Sequence, residues 1–285
     1  MVAESFSQKH QKCDENEKLS KSIIICADDF GQAADISKGI FELLELKRIN
    51  ATSCLTNFTD FQTDALLLKS LDHIFVGLHL NLTEGSPLTK AYSLSNNGQF
   101  NSLNKLLLRS QLRLLNLNSI YLELKAQLEQ FIHTFNQMPH FLDGHQHIHH
   151  LPIVREAVLR LYDEYHLKKT NTFIRNVAYI VDQRNLKSFI IQFSGAKRLQ
   201  QLLKQKNIPH NLSFGGIYNF HPNTFSETFS YALKHITDNG LIMCHPGYKI
   251  DSDVLSQSRE TELKYFKSDD YLNTLKDYHI SLKQP

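Results

Sequence analysis

Residues 22–30 read "SIIICADDF", and this stretch decides the fold class. Ile23, Ile24 and Ile25 form an unbroken β-branched run. A strand with one wet face alternates apolar and polar residues. An unbroken run suits a strand covered on both faces, as in a parallel sheet. A helical spacing follows, with Ile36, Ile40, Leu43 and Leu44 at i, i+4, i+7 and i+8. The alternation then repeats. "NATSCLTNF" (50–58), "IFVGLHLNLT" (74–83), "HFLDGHQHIH" (140–149), "NTFIRNV" (171–177), "NLSFGGIYNF" (211–220) and "GLIMCHPGY" (240–248) read as further strands. Helical patterns separate them: "FQTDALLLKSL" (61–71), a Leu-rich stretch over 104–135 broken near Asn116–Asn118, "PIVREAVLRLYDEY" (152–165), "AKRLQQLLKQKN" (196–207) and "FSETFSYALKHIT" (225–237). A last helix is expected between Arg259 and Tyr278. About seven strands alternating with helices imply a parallel α/β fold with right-handed crossovers. We read residues 21–285 as one domain, a distorted (β/α) barrel that is closed or nearly closed. Residues 1–20 are polar and read as a disordered tail.

Composition bounds the function. The chain has 285 residues, 41% hydrophobic and 21% charged, with a net charge of +2, which is ordinary for a globular protein. No basic field nominates nucleic acid as a partner. Cys13, Cys26, Cys54 and Cys244 are far apart, which speaks against a disulfide framework or a thiolate zinc site. The last three lie in apolar runs and suit the core of a protein in a reducing compartment. The polar start lacks the apolar centre of a signal peptide, and no run is long enough to span a membrane. The expected location is cytoplasmic. N-x-[ST] matches at Asn57, Asn81 and Asn211 read as chance.

Chemistry in α/β folds gathers at the C-terminal ends of the strands. Asp28 and Asp29 end the first strand, His79 lies late in the third and Asp143 and His145 late in the fourth. Arg175 ends the fifth and His245 the seventh. Five of the chain's 15 histidines fall in "HFLDGHQHIHH" (140–150). In an extended strand Asp143, His145, His147 and His149 would share one face. Adjacent carboxylates raise one another's pKa unless a cation intervenes, so "ADDF" suits a metal ligand beside a free base; it equally suits a surface cap. One Asp with two His leaves open positions, the ligand count of a catalytic metal site. A lone His79 on an apolar strand also suits a hydrogen-bonded core residue. His245, before Pro246 and Gly247, suits a general acid at the rim or merely a strand end. Arg175 suits a carboxylate partner or a surface position. Gly215 and Gly216 permit a close backbone approach to a ligand, or a simple bulge.

The ordered set "ADDFG" (27–31), "GLHLNLTEGSPL" (77–88), "HFLDGHQHIHHLP" (140–152), "FIR" (173–175) and "HPGY" (245–248) resembles the YdjC-like carbohydrate deacetylase family. That family includes diacetylchitooligosaccharide deacetylases and relatives linked to hopanoid biosynthesis, and is distantly similar to the polysaccharide deacetylases, with a distorted (β/α) barrel. The resemblance implies one divalent metal ion, Mg2+ or Zn2+, held by Asp29, His79 and His145. Asp28 is then the general base and His245 the acid, while Asp143, His147, His149 and Arg175 line or support the site. The implied reaction is metal-dependent hydrolysis of an N-acetyl group from an amino sugar, glycan or glycolipid. A metal-dependent phosphoesterase and a non-catalytic carbohydrate-binding barrel are the competing readings. The reading includes neither nucleic acid nor a membrane span among the partners and allows a homodimer.

Overall fold

The computed structural model describes residues 20–90, 93–182 and 186–285; the tail expected over residues 1–20 lies outside them but for Ser20. The strands are β1 (Lys21–Phe30), β2 (Ala51–Cys54), β3 (Phe75–Leu80), a small hairpin β4 (Ser95–Asn96) and β5 (Gln99–Phe100), β6 (Phe141–Gly144), β7 (Phe173–Ile174), β8 (Phe214–Gly215), β9 (Leu241–Cys244) and β10 (Ile280–Leu282). The helices are α1 (Ala34–Glu45), α2 (Phe61–Leu68), α3 (Leu103–Gln111), α4 (Leu117–Phe135), α5 (Val154–Glu164), α6 (Leu186–Ile191), α7 (Lys197–Gln205), α8 (Phe225–His235), α9 (Ser256–Lys267) and α10 (Asp269–Asp277). The main sheet runs β7-β6-β3-β2-β1-β9-β8, and its strand pairs are parallel. It curls into a distorted barrel. Between its two end strands, Asn211 accepts from the Asn176 amide and donates to the Asn176 carbonyl, and Ile180 bridges to Phe214.

Alternation along β1 sorts the side chains into two cores. Ile23, Ile25 and Ala27 pack outward with the helices, while Ile24 and Cys26 face the barrel interior with Phe75, Phe141, Phe214, Leu241 and Met243. The outward residues meet Ile36, Ile40, Leu43 and Leu44 of α1, all buried; each such side chain contributes roughly 1.5–3 kcal/mol relative to exposure. The same period of two carries upward. Asp28 follows Ile24 and Cys26, His79 follows Phe75, Asp143 follows Phe141, and His245 follows Leu241 and Met243. The polar rim is thus the top layer of the interior file.

Three expectations need correction. The fourth strand ends at Gly144, and His145–His150 form a tight turn with Gln146 at φ 52° and His147 at φ 61°. Asp143, His145, His147 and His149 therefore do not share a strand face. A Cβ at Gly144 would lie 2.9 Å from the His149 nitrogen, so the chain folds straight back over the strand end. The last helix is two helices, parted at Ser268, whose hydroxyl accepts from the Tyr271 amide and caps α10. The chain then adds β10 beside the start of β1, Lys21 opposite Ile280.

Candidate metal and catalytic centre

The pair Asp28–Asp29 diverges because β1 kinks at its end. The β1–β2 register shifts between Ala27 and Phe30, and Asp29 adopts φ 74°. Such a backbone costs a non-glycine residue of order 1–3 kcal/mol and is held by its surroundings. Asp28 continues into the interior, where Arg175 takes both of its carboxylate oxygens at 2.6 Å. Asp29 turns instead toward His145, with Nδ1 at 3.0 Å from Oδ1, and toward His79, with Nε2 at 3.5 Å from the same oxygen. Its other oxygen accepts from Arg259 at 2.8 Å.

Asp29, His79 and His145 each offer a ligand atom, and these atoms lie within 4.8 Å of one another. A carboxylate with two imidazoles suits a divalent ion. The surroundings suit one as well. In the β3–β6 register His79 stands opposite Asp143, and its Nδ1 lies 2.7 Å from Asp143 Oδ1. That contact aims Nε2 at Asp29. His145 Nε2 lies 3.2 Å from Glu84. Each imidazole thus has a carboxylate on the nitrogen turned away from Asp29, the orienting arrangement common around metal-binding histidines. Ser53 donates to Asp143 Oδ1 at 2.5 Å.

A second cluster, Cys26, Asp28 and Asp143, has the same compactness, but Arg175 supplies its cation. The fully buried guanidinium lies 2.5 Å from Asp143 Oδ2 and 3.2 Å from the Cys26 sulfur, in addition to its grip on Asp28. The surface alternative for Arg175 is overturned. His149 Nε2 holds the Arg175 carbonyl at 2.9 Å, so it braces the arginine's backbone. His147 packs its ring on Phe214 at 5.5 Å and stands outside the Asp29 group. His150 Nε2 lies 2.8 Å from Ser194 Oγ. Asn81 and Asn211 are buried, which does not suit glycan attachment.

Charge follows from these partners. Burial disfavours the charge on Asp28, yet the Arg175 guanidinium outweighs it and holds the carboxyl well below its usual range. Burial likewise opposes Asp29, and Arg259 and His145 outweigh it. For His145, burial lowers the pKa, but Asp29 and Glu84 raise it to about 10. Burial pulls His245 down to about 4 against the opposing pull of Asp29 and Asp28. The His245 amide donates to Glu262 at 2.5 Å, its ring packs on Phe220, and its Nδ1 has no hydrogen-bond partner among the described residues.

The structure adds residues that sequence reasoning did not single out. Arg259 of α9 binds Asp29, Asp253 and Gln32. Glu84 joins Gln32, Gln146 and His145 at the rim. Glu84 sits in the quoted "GLHLNLTEGSPL" motif, so its position was visible; Arg259 had no local signal.

The family model described as "YdjC-like protein" matches residues 22–277. The chain is 26% identical over 272 residues to a carbohydrate deacetylase of Clostridium beijerinckii, covering 91% of this chain and 97% of that one. It is 27% identical over 259 residues to a chitooligosaccharide deacetylase of Yersinia pestis, covering 88% and 92%. Among solved structures, a protein from Enterococcus faecalis V583 described as a candidate cellobiose-phosphate cleavage protein superposes with a TM-score of 0.72 at 20% identity, covering 93% of this chain and 97% of that one. The fold is therefore shared with that structure. The chain belongs to the YdjC-like protein family.

Proposed function

We propose that this chain is a metal-dependent carbohydrate deacetylase, an enzyme that hydrolyses an N-acetyl group on an amino sugar. The carrying observation is the convergence of Asp29, His79 and His145 next to an arginine-clamped Asp28. The near full-length relatives named carbohydrate and chitooligosaccharide deacetylases support the substrate class. Asp29, His79 and His145 would hold one divalent ion. Such an ion supplies Lewis acidity, polarising the amide carbonyl and acidifying water, which a base as weak as the clamped Asp28 requires.

Asp28 takes the water's proton, and Arg175 keeps it ionised and aimed. His145 and His79 are fixed by Glu84 and Asp143. His245 is neutral at rest. The tetrahedral oxyanion of amide hydrolysis adds negative charge beside its ring, raising its basicity, so it takes up the proton that Asp28 removed from the water and passes it to the departing amine as the C–N bond breaks, leaving acetate and the free amine. Tyr and Phe side chains stack the sugar, since the chain has no Trp. Buried free thiols at Cys26, Cys54 and Cys244 favour a reducing, cytoplasmic location. Metal-loaded protein incubated with N-acetylated chitooligosaccharide should release acetate, and with a generic phosphoester should release no phosphate. Phosphate release without acetate would overturn the reading in favour of a phosphoesterase. Neither product would point to a sugar-binding barrel.

A further inference from the structure

Two stretches of the chain hold no acidic residue. Residues 85–122 and 183–226 contain none of the 29 Asp and Glu but ten of the 31 Lys and Arg. The fold brings the two together. Gln111 at the end of α3 donates to the Ser194 carbonyl at 2.8 Å, and Arg113 and Arg198 line one groove of about 510 Å³ with Arg155 and Arg160, where four arginines outnumber the two carboxylates Glu156 and Asp163. Both stretches also expose large apolar side chains: Leu108 at 61%, Leu112 at 59% and Leu114 at 61% on one, Leu186 at 76% and Phe193 at 81% on the other. The exposure is built in, because Arg109 donates to the Ser93 and Leu114 carbonyls and fixes the turn that carries Leu112 and Leu114. α7 buries Leu199 and Leu203 and turns Lys197, Arg198 and Lys204 outward.

We propose that this face docks the protein onto an anionic lipid surface. Exposed apolar side chains enter the boundary between headgroups and acyl chains, and the surrounding lysines and arginines meet lipid phosphates. Lys105, Lys197, Arg198 and Lys204 have no ion-pair partner among the described residues, while Arg113 pairs with Glu156 and Lys206 with Asp163. A second copy is a poor occupant, since it would set one basic face against another. A polyanion such as nucleic acid would answer the charge but leave Phe193 and the leucines in water. The mode is peripheral: among the described residues no helix is long and apolar enough to cross a membrane. The face adjoins the candidate site, because Ser194 holds His150 of the His145–His150 turn and Ser110 donates to the Pro152 carbonyl. Docking there places the site mouth beside the lipid surface, within reach of a membrane-borne acetylated glycan.

The test is sedimentation of the purified full chain with vesicles, which needs no substrate and stands apart from the deacetylase reading. Vesicles of phosphatidylcholine with phosphatidylglycerol should pellet the protein at low salt, and phosphatidylcholine alone should not. High salt should weaken the binding. L112S/F193S and K197E/R198E should each lower partitioning by about tenfold or more and leave acetate release from a soluble substrate unchanged. Failure to pellet with anionic vesicles would overturn the proposal, as would equal binding to neutral ones. Charge-reversal loss with full retention by L112S/F193S, matched on a heparin column, would instead identify a polyanion site. A dimer dissolved by L112S/F193S, with no vesicle binding, would assign the face to self-association.

Discussion

Asp28 and Asp29 are neighbours with separate surroundings, and the difference is set by which cation each meets. Arg175 grips Asp28 through both oxygens, while Asp29 faces two imidazoles and Arg259. Asp28→Asn should keep the fold and metal occupancy yet lower turnover by about two to four orders of magnitude, the usual worth of a positioned base. Near-normal kcat with metal confirmed by elemental analysis would remove Asp28 from that role. His245→Ala should cut hydrolysis of an acetamide strongly but spare an activated ester, whose leaving group needs little protonation. Equal losses on both would mean that the ring only packs against Phe220. Much of this site was legible because chemistry-bearing residues end apolar strands, and a period of two predicts which of them face inward. What could not be read was the backbone after Gly144. Left-handed Gln146 and His147 are non-glycine residues held by tertiary contacts, so nothing local announces the turn that dissolves the common face. Arg259 was invisible for a related reason: its partner Asp29 lies 230 positions away.

Between elements, two contacts hold the β8–β9 wall of the barrel. Gly216 follows β8 at φ +97°, and a Cβ there would lie 2.1 Å from the Met243 carbonyl oxygen. The obstacle is backbone and cannot swing away. Gly216→Ala should cost about 2 kcal/mol or more from conformation and clash together, read by denaturant unfolding; a cost below measurement would mean that the β8–β9 contact is loose. Glu262 of α9 holds the other side. It accepts from the His245 amide and from the Tyr218 hydroxyl, and burial pushes it up to about 7 although these bonds oppose that. A raised folded-state pKa stabilises fully below the ordinary value of 4.5, and that stability is lost as pH rises through about 7. Glu262→Gln cannot ionise, so wild type should lose stability relative to the variant across that window by about 3 kcal/mol, at roughly 1.4 kcal/mol per unit. Parallel curves for the two proteins would refute the linkage. The elements themselves were largely legible: α1, α2, α7 and α8 follow their apolar spacing. The split of the last helix at Ser268 and the late strand β10 were not, because a serine inside a polar helical run and the short "HISLK" segment carry little periodic signal.

At the scale of the molecule, the barrel turns a local alternation into a site. Outward residues bind the helices, inward residues fill the lumen, and the topmost inward layer is ionisable rather than apolar. The cost of burying it is met in pairs: Arg175 with Asp28 and Asp143, Arg259 with Asp29 and Asp253. The net charge of +2 conceals both this pairing and the predominantly basic face beside the rim, since composition averages over position. The most direct test is a metal titration of chelator-stripped protein, following acetate release from N-acetylated chitooligosaccharide. Activity should rise linearly and break at one equivalent of divalent ion in wild type, and should not appear in His79→Ala or Asp29→Ala. Full activity in the stripped protein, or an unchanged titration in either variant, would contradict the account.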